Sequence, residues 1–224
     1  MHAPRSNVYS DIHKGIRKRL FDASHLAGST DWDDGDAVIA LQQTLDRLLT
    51  LLRGHVQHEE EHMHPLIAKR APGQVASLRA DHEVQEAFLD EFEEFANAVF
   101  AMPAAEQMRP AAAQEMYRGL NRFIAMYVPH LDHEETTIMR TLWELSSDEE
   151  IADTYGRLIG SLPHAELLES VAVMLPALSL PERLGLMGGL TSGQPQLRAE
   201  AAAIARDVLS EADWTSLAAR AGLA

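Results

Sequence analysis

The sequence predicts an all-α protein, an up-down four-helix bundle through about residue 146 followed by an extension of short helices. Three observations carry that prediction. Strong helix formers (Ala, Leu, Glu, Arg and Gln) dominate, and no run of alternating β-branched residues bounded by turns occurs. Apolar residues recur in steps of three and four over many turns. Glycine and proline then punctuate the chain so as to leave four long segments before a series of short ones.

The first helix is expected from about Asn7 to Ala27, stopping at Gly28. Trp32 to Asp36 is a polar loop, in which Asp34 or Asp36 can cap a second helix reaching about Arg70. Pro72-Gly73 breaks the chain, and a third helix follows to about Met102. Pro103 and Pro110 bracket the next loop, and a fourth helix continues to about Leu145, carrying Pro129, which is expected to kink it just before His130. Ser147 with Glu150 is a capping-box signature that opens a shorter helix. From there, segments are separated by Ser161-Leu162-Pro163, Leu180-Pro181 and Ser192-Gly193-Gln194-Pro195. The division is therefore 1–146 as the bundle and 147–224 as the extension. Leu167, Leu168, Val171, Val173, Met174 and Leu175 exceed what a short tail needs, so the extension is expected to cover the bundle or to form a homodimer or partner surface.

Composition removes several function classes. Nineteen Lys and Arg against 34 Asp and Glu give a net charge of −15, the wrong sign for a phosphate-backbone binder, so no nucleic-acid partner is expected. The one basic run, Lys14, Arg17, Lys18 and Arg19, reads as a solvated helix face. No apolar stretch reaches the roughly 18 to 20 residues of a membrane span, and Met1 to Asn7 lacks the apolar core of a secretory signal; a cytoplasmic protein without a membrane partner is expected. With no cysteine, disulfides, thiolate zinc sites, iron–sulfur clusters and cysteine nucleophiles are excluded. Eleven histidines remain as the informative feature.

Those histidines fall on the core stripes. The second helix gives Val38, Leu41, Leu45, Leu48, Leu52, then His55, Glu59, His62 and Leu66 without interruption of the step pattern. The fourth gives Ala113, Met116, Leu120, Phe123, Tyr127, His130, Glu134 and Ile138. The third gives Val75, Leu78, His82, Glu86 and Leu89, and the first Tyr9, His13, Ile16 and Leu20. Buried carboxylates cost several kcal/mol (roughly 3–5 for an unpaired one) unless paired or bound to metal, so these stripes conflict with simple apolar packing.

A repeat resolves the conflict. His55-Val56-Gln57-His58-Glu59-Glu60 recurs as His130-Leu131-Asp132-His133-Glu134-Glu135, each preceded on the previous helix by a core-facing histidine, His13 or His82. Residues four apart share a helix face, so His55 with Glu59, and His130 with Glu134, can reach one point. Two such hairpins bring four imidazoles and two carboxylates together. That set exceeds one tetrahedral zinc and suits two octahedral ions bridged by carboxylate and an oxo or hydroxo group, with iron favoured and manganese the main competitor.

The pattern H…HxxxE…H…HxxxE resembles the hemerythrin-like (HHE cation-binding) family of non-haem di-iron proteins over roughly residues 7 to 146. The resemblance implies His13, His55, Glu59, His82, His130 and Glu134 as metal ligands, with Glu59 and Glu134 bridging. Oxygen-carrying members have a further histidine four residues after the one on the third helix. Here that position is Glu86, expected to be a seventh ligand or to orient a ligand histidine. An anionic ligand there would favour the ferric state and count against reversible oxygen transport. Reaction with, or sensing of, O2, H2O2 or NO is therefore expected, with a non-enzymatic iron- or oxygen-responsive regulator, or an iron storage or transport protein, as the alternative. Tyr9 and Tyr127, each one turn before a ligand, are placed to donate to a species bound at the centre.

Other readings of these residues are weaker. His58-Glu59-Glu60-Glu61-His62 matches the H-E-x-x-H of zinc proteases but leaves the second copy, with Thr137 in the last place, unused. Glu59-x-x-His62 likewise lacks the second E-x-x-H of ferritin-like bundles. His25, His64 and His164 have no partner at ligand spacing and read as ordinary surface or half-buried residues.

Overall fold

The computed structural model describes residues 5, 7–191 and 195–223, and every regular element among them is helical. The breaker Ser192-Gly193-Gln194 and most of the segment Met1 to Asn7 lie outside the described residues. None of the described helices is by itself long and apolar enough to cross a membrane.

Helix α1 spans Ser10–Ser29 and α2 Gly35–His58. Asp34 caps α2, its extended backbone letting Oδ1 accept from the Asp36 and Ala37 amides at 2.9 and 3.3 Å. The chain then widens into a π-helical turn, Glu59–Met63, before the short α3, His64–Ala68. Helix α4, Pro72–Phe100, starts on a proline whose missing N–H would have no partner there anyway. Helix α5, Arg109–His133, runs into a second π-helical turn, Glu134–Ile138, and on into α6, Met139–Leu145. The second and fourth expected helices are thus each an α-helix, one π turn and another α-helix. The capping box opens α7, Asp148–Ser161: Glu150 accepts from the Ser147 amide at 3.0 Å and Ser147 Oγ accepts from the Glu150 amide at 3.1 Å. After it come α8 (His164–Met174), a 3₁₀ turn (Leu175–Ala177), α9 (Leu180–Thr191), α10 (Pro195–Val208) and α11 (Glu211–Ala221).

The chain divides into two compact units, Met1–Asn7 with Arg19–Leu158 and Val8–Lys18 with Ile159–Ala224. In the first, α4 packs on both α2 and α5, and the Arg19–Ser29 half of α1 meets α5, where Ser24 Oγ lies 2.9 Å from Asn121 Oδ1. Its interior holds Leu20, Leu41, Leu45, Leu52, Leu78, Met116, Phe123 and Leu131. At one end Trp32 stacks on Phe100 at 5.9 Å, and Arg109 lies over Trp32 while donating to its carbonyl at 2.9 Å. The histidine-bearing segments of α2, α4 and α5 lie at the other ends of those helices. Arg53 fixes α2 against α4 by donating to Glu86, Asp90 and Glu93 at 2.9, 2.7 and 2.8 Å.

The second unit has its own apolar cluster, Val171, Leu175, Met187, Ala201, Ala205 and Leu217. Gly15 belongs to this unit, where a Cβ would come within 2.7 Å of Val173 Cγ1 and 2.9 Å of the Val173 carbonyl, so the close helix approach requires glycine.

Candidate metal centre

Two π turns begin on the two carboxylates that the repeat singles out, Glu59 and Glu134. A π turn admits one extra residue and appears mostly at functional sites. It lets Glu59 and Glu134 follow His55 and His130 on the buried face while changing the register beyond them. The stripe on α2 is buried as expected from Val38 through Glu59. Within the π turn His62 moves to a partly exposed position, and Met63 at its end and His64 just past it turn inward at 2% and 1% exposure.

In the first unit, His55, Glu59, His82, His130 and Glu134 are all buried. Glu59 spans two helices: its Oε1 lies 3.1 Å from His55 Nε2 and its Oε2 3.5 Å from His82 Nε2. His130 Nε2 lies 3.4 Å from Glu134 Oε2 and 3.2 Å from His82 Nε2. Donor atoms of Glu59, His82, His130 and Glu134 all fall within 4.8 Å of one another, and so do those of His55, Glu59 and Glu134. Both carboxylates belong to both sets. His13, on the α1 half that belongs to the second unit, is wholly buried, its ring 5.3 Å from that of Tyr9.

The electrostatics suit a cation. Burial pushes the Glu134 carboxyl well above its usual range, and the neighbouring Glu59 pushes it further. Burial takes the His130 imidazole down to about 4, against the pull of Glu59. A neutral imidazole has a lone pair free for a metal, and two adjacent buried carboxylates need a positive charge to ionise together. The donors are nitrogen and oxygen without sulfur, the set that suits iron or manganese. Glu60 Oε1 lies within hydrogen-bond distance of His82 Nδ1 at 3.2 Å, whereas Asp81 Oδ2, 3.6 Å from His130 Nδ1, contributes only charge.

Tyr127 is wholly buried, with its ring 5.9 Å from that of His130. Its hydroxyl has no hydrogen-bond partner among the described residues, and burial, with Glu59 and Glu134 nearby, holds its pKa well above the usual value. Tyr9 is buried one turn before His13.

The expected core position of Glu86 is corrected. Its side chain is 45% exposed and its carboxylate pairs with Arg53 outside both donor sets, while Gln85, at 2% exposure, takes the inward place between His82 and Leu89. From His82 the buried face proceeds by a step of three, which carries position 86 round to α2's arginine. Glu86 therefore adds no anionic ligand to either donor set. His64 is corrected too: it is buried, its ring stacks on His82 at 5.3 Å with planes 12° apart, and it joins Glu60 and His82 in a further potential metal-holding group. Burial and the adjacent His82 push the His64 imidazole down. The available signal was the four-residue spacing of Glu60 and His64, on a face that a regular helix would leave outside.

A family model described as Hemerythrin HHE cation binding domain matches residues 6–142. No curated protein and no solved structure matches the chain.

Proposed function

Because the chain belongs to the hemerythrin HHE cation-binding family, we propose that it is a non-haem di-iron protein that reacts with or senses O2, H2O2 or NO. The observation that carries this reading is the sharing of Glu59 and Glu134 between two overlapping donor sets, the arrangement that two cations with common carboxylates require. In it His13, His55, Glu59, His82, His130 and Glu134 hold the metals, in an up-down four-helix bundle. That topology is supported by the meeting of Trp32, Phe100 and Arg109 at one end of α2, α4 and α5 and of the histidines at the other.

A bound iron pair supplies one-electron redox chemistry toward the small molecule. The chain's part is to hold neutral imidazoles in place, to offset the metals' charge with two buried carboxylates, and to keep bulk water out by continuing the same stripes with buried apolar residues, Leu52 before His55, Leu78 before His82 and Phe123 before His130. Tyr127 offers a buried hydroxyl as a hydrogen-bond donor to a molecule reaching the centre, and Tyr9 is assigned the corresponding role beside His13.

The test is anaerobic reconstitution with ferrous iron, followed by metal analysis and near-ultraviolet absorption before and after exposure to oxygen or peroxide. About two iron per chain and an oxidant-dependent near-ultraviolet band, both lost in His130→Ala, are expected. Well under two equivalents in the wild type would overturn the reading. Catalytic peroxide turnover would favour the enzyme, and a change of oligomeric state on oxidation without turnover would favour the sensor.

A further inference from the structure

The first π turn builds more than the second. Five residues beyond Glu59 stands His64, whereas five beyond Glu134 stands Met139, and both are buried, at 1% and 0% exposure. Methionine at that place is ordinary packing. Histidine is not: both ring nitrogens of His64 are buried without a hydrogen-bond partner among the described residues, and a buried polar group in that state is destabilising. The ring lies against His82, and together they face Glu60, whose side chain is 42% exposed and whose Oε1 is 3.2 Å from His82 Nδ1. One donor atom from each of Glu60, His64 and His82 lies within 4.8 Å of the others.

We propose that Glu60, His64 and Nδ1 of His82 form an outer capture site for a divalent first-row transition ion, from which the ion passes inward to Glu59. Two imidazoles and one carboxylate with open positions form the donor set typical of non-haem ferrous iron. Cis donors around such an ion sit roughly 3 Å apart, so small rotations of the His64 ring and the Glu60 side chain close the set. Glu60 reaches solvent, and the adjacent residue in the chain, Glu59, touches the opposite nitrogen of the same His82 ring. A neutral imidazole has one lone pair, so His82 serves one ion at a time, the outer one through Nδ1 beside Glu60 or the inner centre through Nε2 beside Glu59. The passage inward rests on the di-metal reading above; capture at the outer site does not.

Cobalt(II), added anaerobically to the metal-free protein and followed by its visible absorption in a stopped-flow instrument, tests this. Wild type is compared with Glu60→Gln, with His64→Met, which copies the second π turn, and with Glu61→Gln, which removes an equal charge one residue away. Uptake at least tenfold slower in Glu60→Gln and His64→Met, with wild-type end-point equivalents in His64→Met and Glu61→Gln, and an unchanged rate in Glu61→Gln, is expected. Equal rates in wild type and Glu60→Gln would overturn the capture site, as would equal slowing by Glu61→Gln. Because Glu60 is a surface carboxylate, that arm survives even if His64→Met fails to fold. The end point reports on the inner centre and the rate on the outer one. Should wild type bind a single equivalent that Glu60→Gln or His64→Met abolishes, the outer site stands and the inner reading falls.

Discussion

The two compact units place their charges differently. The cluster that organises α8 to α11 is apolar, with Leu175, Ala205 and Leu217 wholly buried; the buried Arg183 beside it is satisfied by the Leu175 carbonyl at 2.9 Å and by Asp213, and the pair of Lys14 with Glu182 is partly exposed. In the first unit the same kind of helical interior buries two carboxylates, Glu59 and Glu134, and four imidazoles, His55, His64, His82 and His130. An apolar cluster is selected for packing alone, whereas polar groups on a buried stripe persist when something repays their desolvation. That contrast sets the candidate metal centre against a core built for packing, and each test below breaks or sharpens it.

The largest effect is expected from Glu134→Gln. Metal affinity should fall by at least about tenfold to hundredfold, while the metal-free protein gains roughly 1–3 kcal/mol because a carboxyl that resists ionisation in place is gone. Metal titration and denaturant midpoints of the metal-free protein check both signs, and a variant both metal-replete and no more stable would erase the contrast. Next comes Gly15→Ala in the second unit, which should lose about 1–3 kcal/mol through overpacking against Val173 and leave metal content unchanged. Arg53→Ala should follow with a loss of about 0.5–1 kcal/mol, since its partners are partly exposed, and Glu86→Gln should keep the full metal complement. Reduced metal content in Glu86→Gln would restore the role first expected of that residue.

The smallest effect is a pH dependence in the second unit. Hydrogen bonds from Lys14 and Ser179 hold the Glu182 carboxyl down at about 2, from an ordinary 4.5. A depressed carboxyl stabilises the fold above its unfolded value and loses that contribution as pH falls from about 4.5 through about 2. For a group this exposed the contribution is well under about 1 kcal/mol, so Lys14→Met should flatten the acid limb of the stability curve by a few tenths.

Much of the site was legible in the sequence, because a repeated hexapeptide on an apolar stripe leaves few alternatives. Of the residues read as core on α5, all from Ala113 to Ile138 are buried. The misreadings have two causes. On α4 the buried residues Val75, Leu78, His82, Gln85 and Leu89 alternate steps of three and four, whereas Glu86 was reached by two successive steps of four; on α2 the π turn after Glu59 sent His62 outward and brought His64 in. Pro65, which cannot donate to the turn before it, was the local hint on α2; on α5 the π turn has no such marker.

What the sequence determined by itself is therefore the helical class, the capping of α2 and α7, and the inward placement of His55, Glu59, His82, His130 and Glu134, since these follow from local propensity and periodicity that each segment carries alone. What only the tertiary structure decided is which oxygen of Glu59 meets which histidine, that Arg53 claims Glu86, and that His64 stacks on His82. Those pairings depend on how separate helices are rotated against one another, and a rotation of one residue, about 100°, is set by packing across the core and is invisible within any one helix.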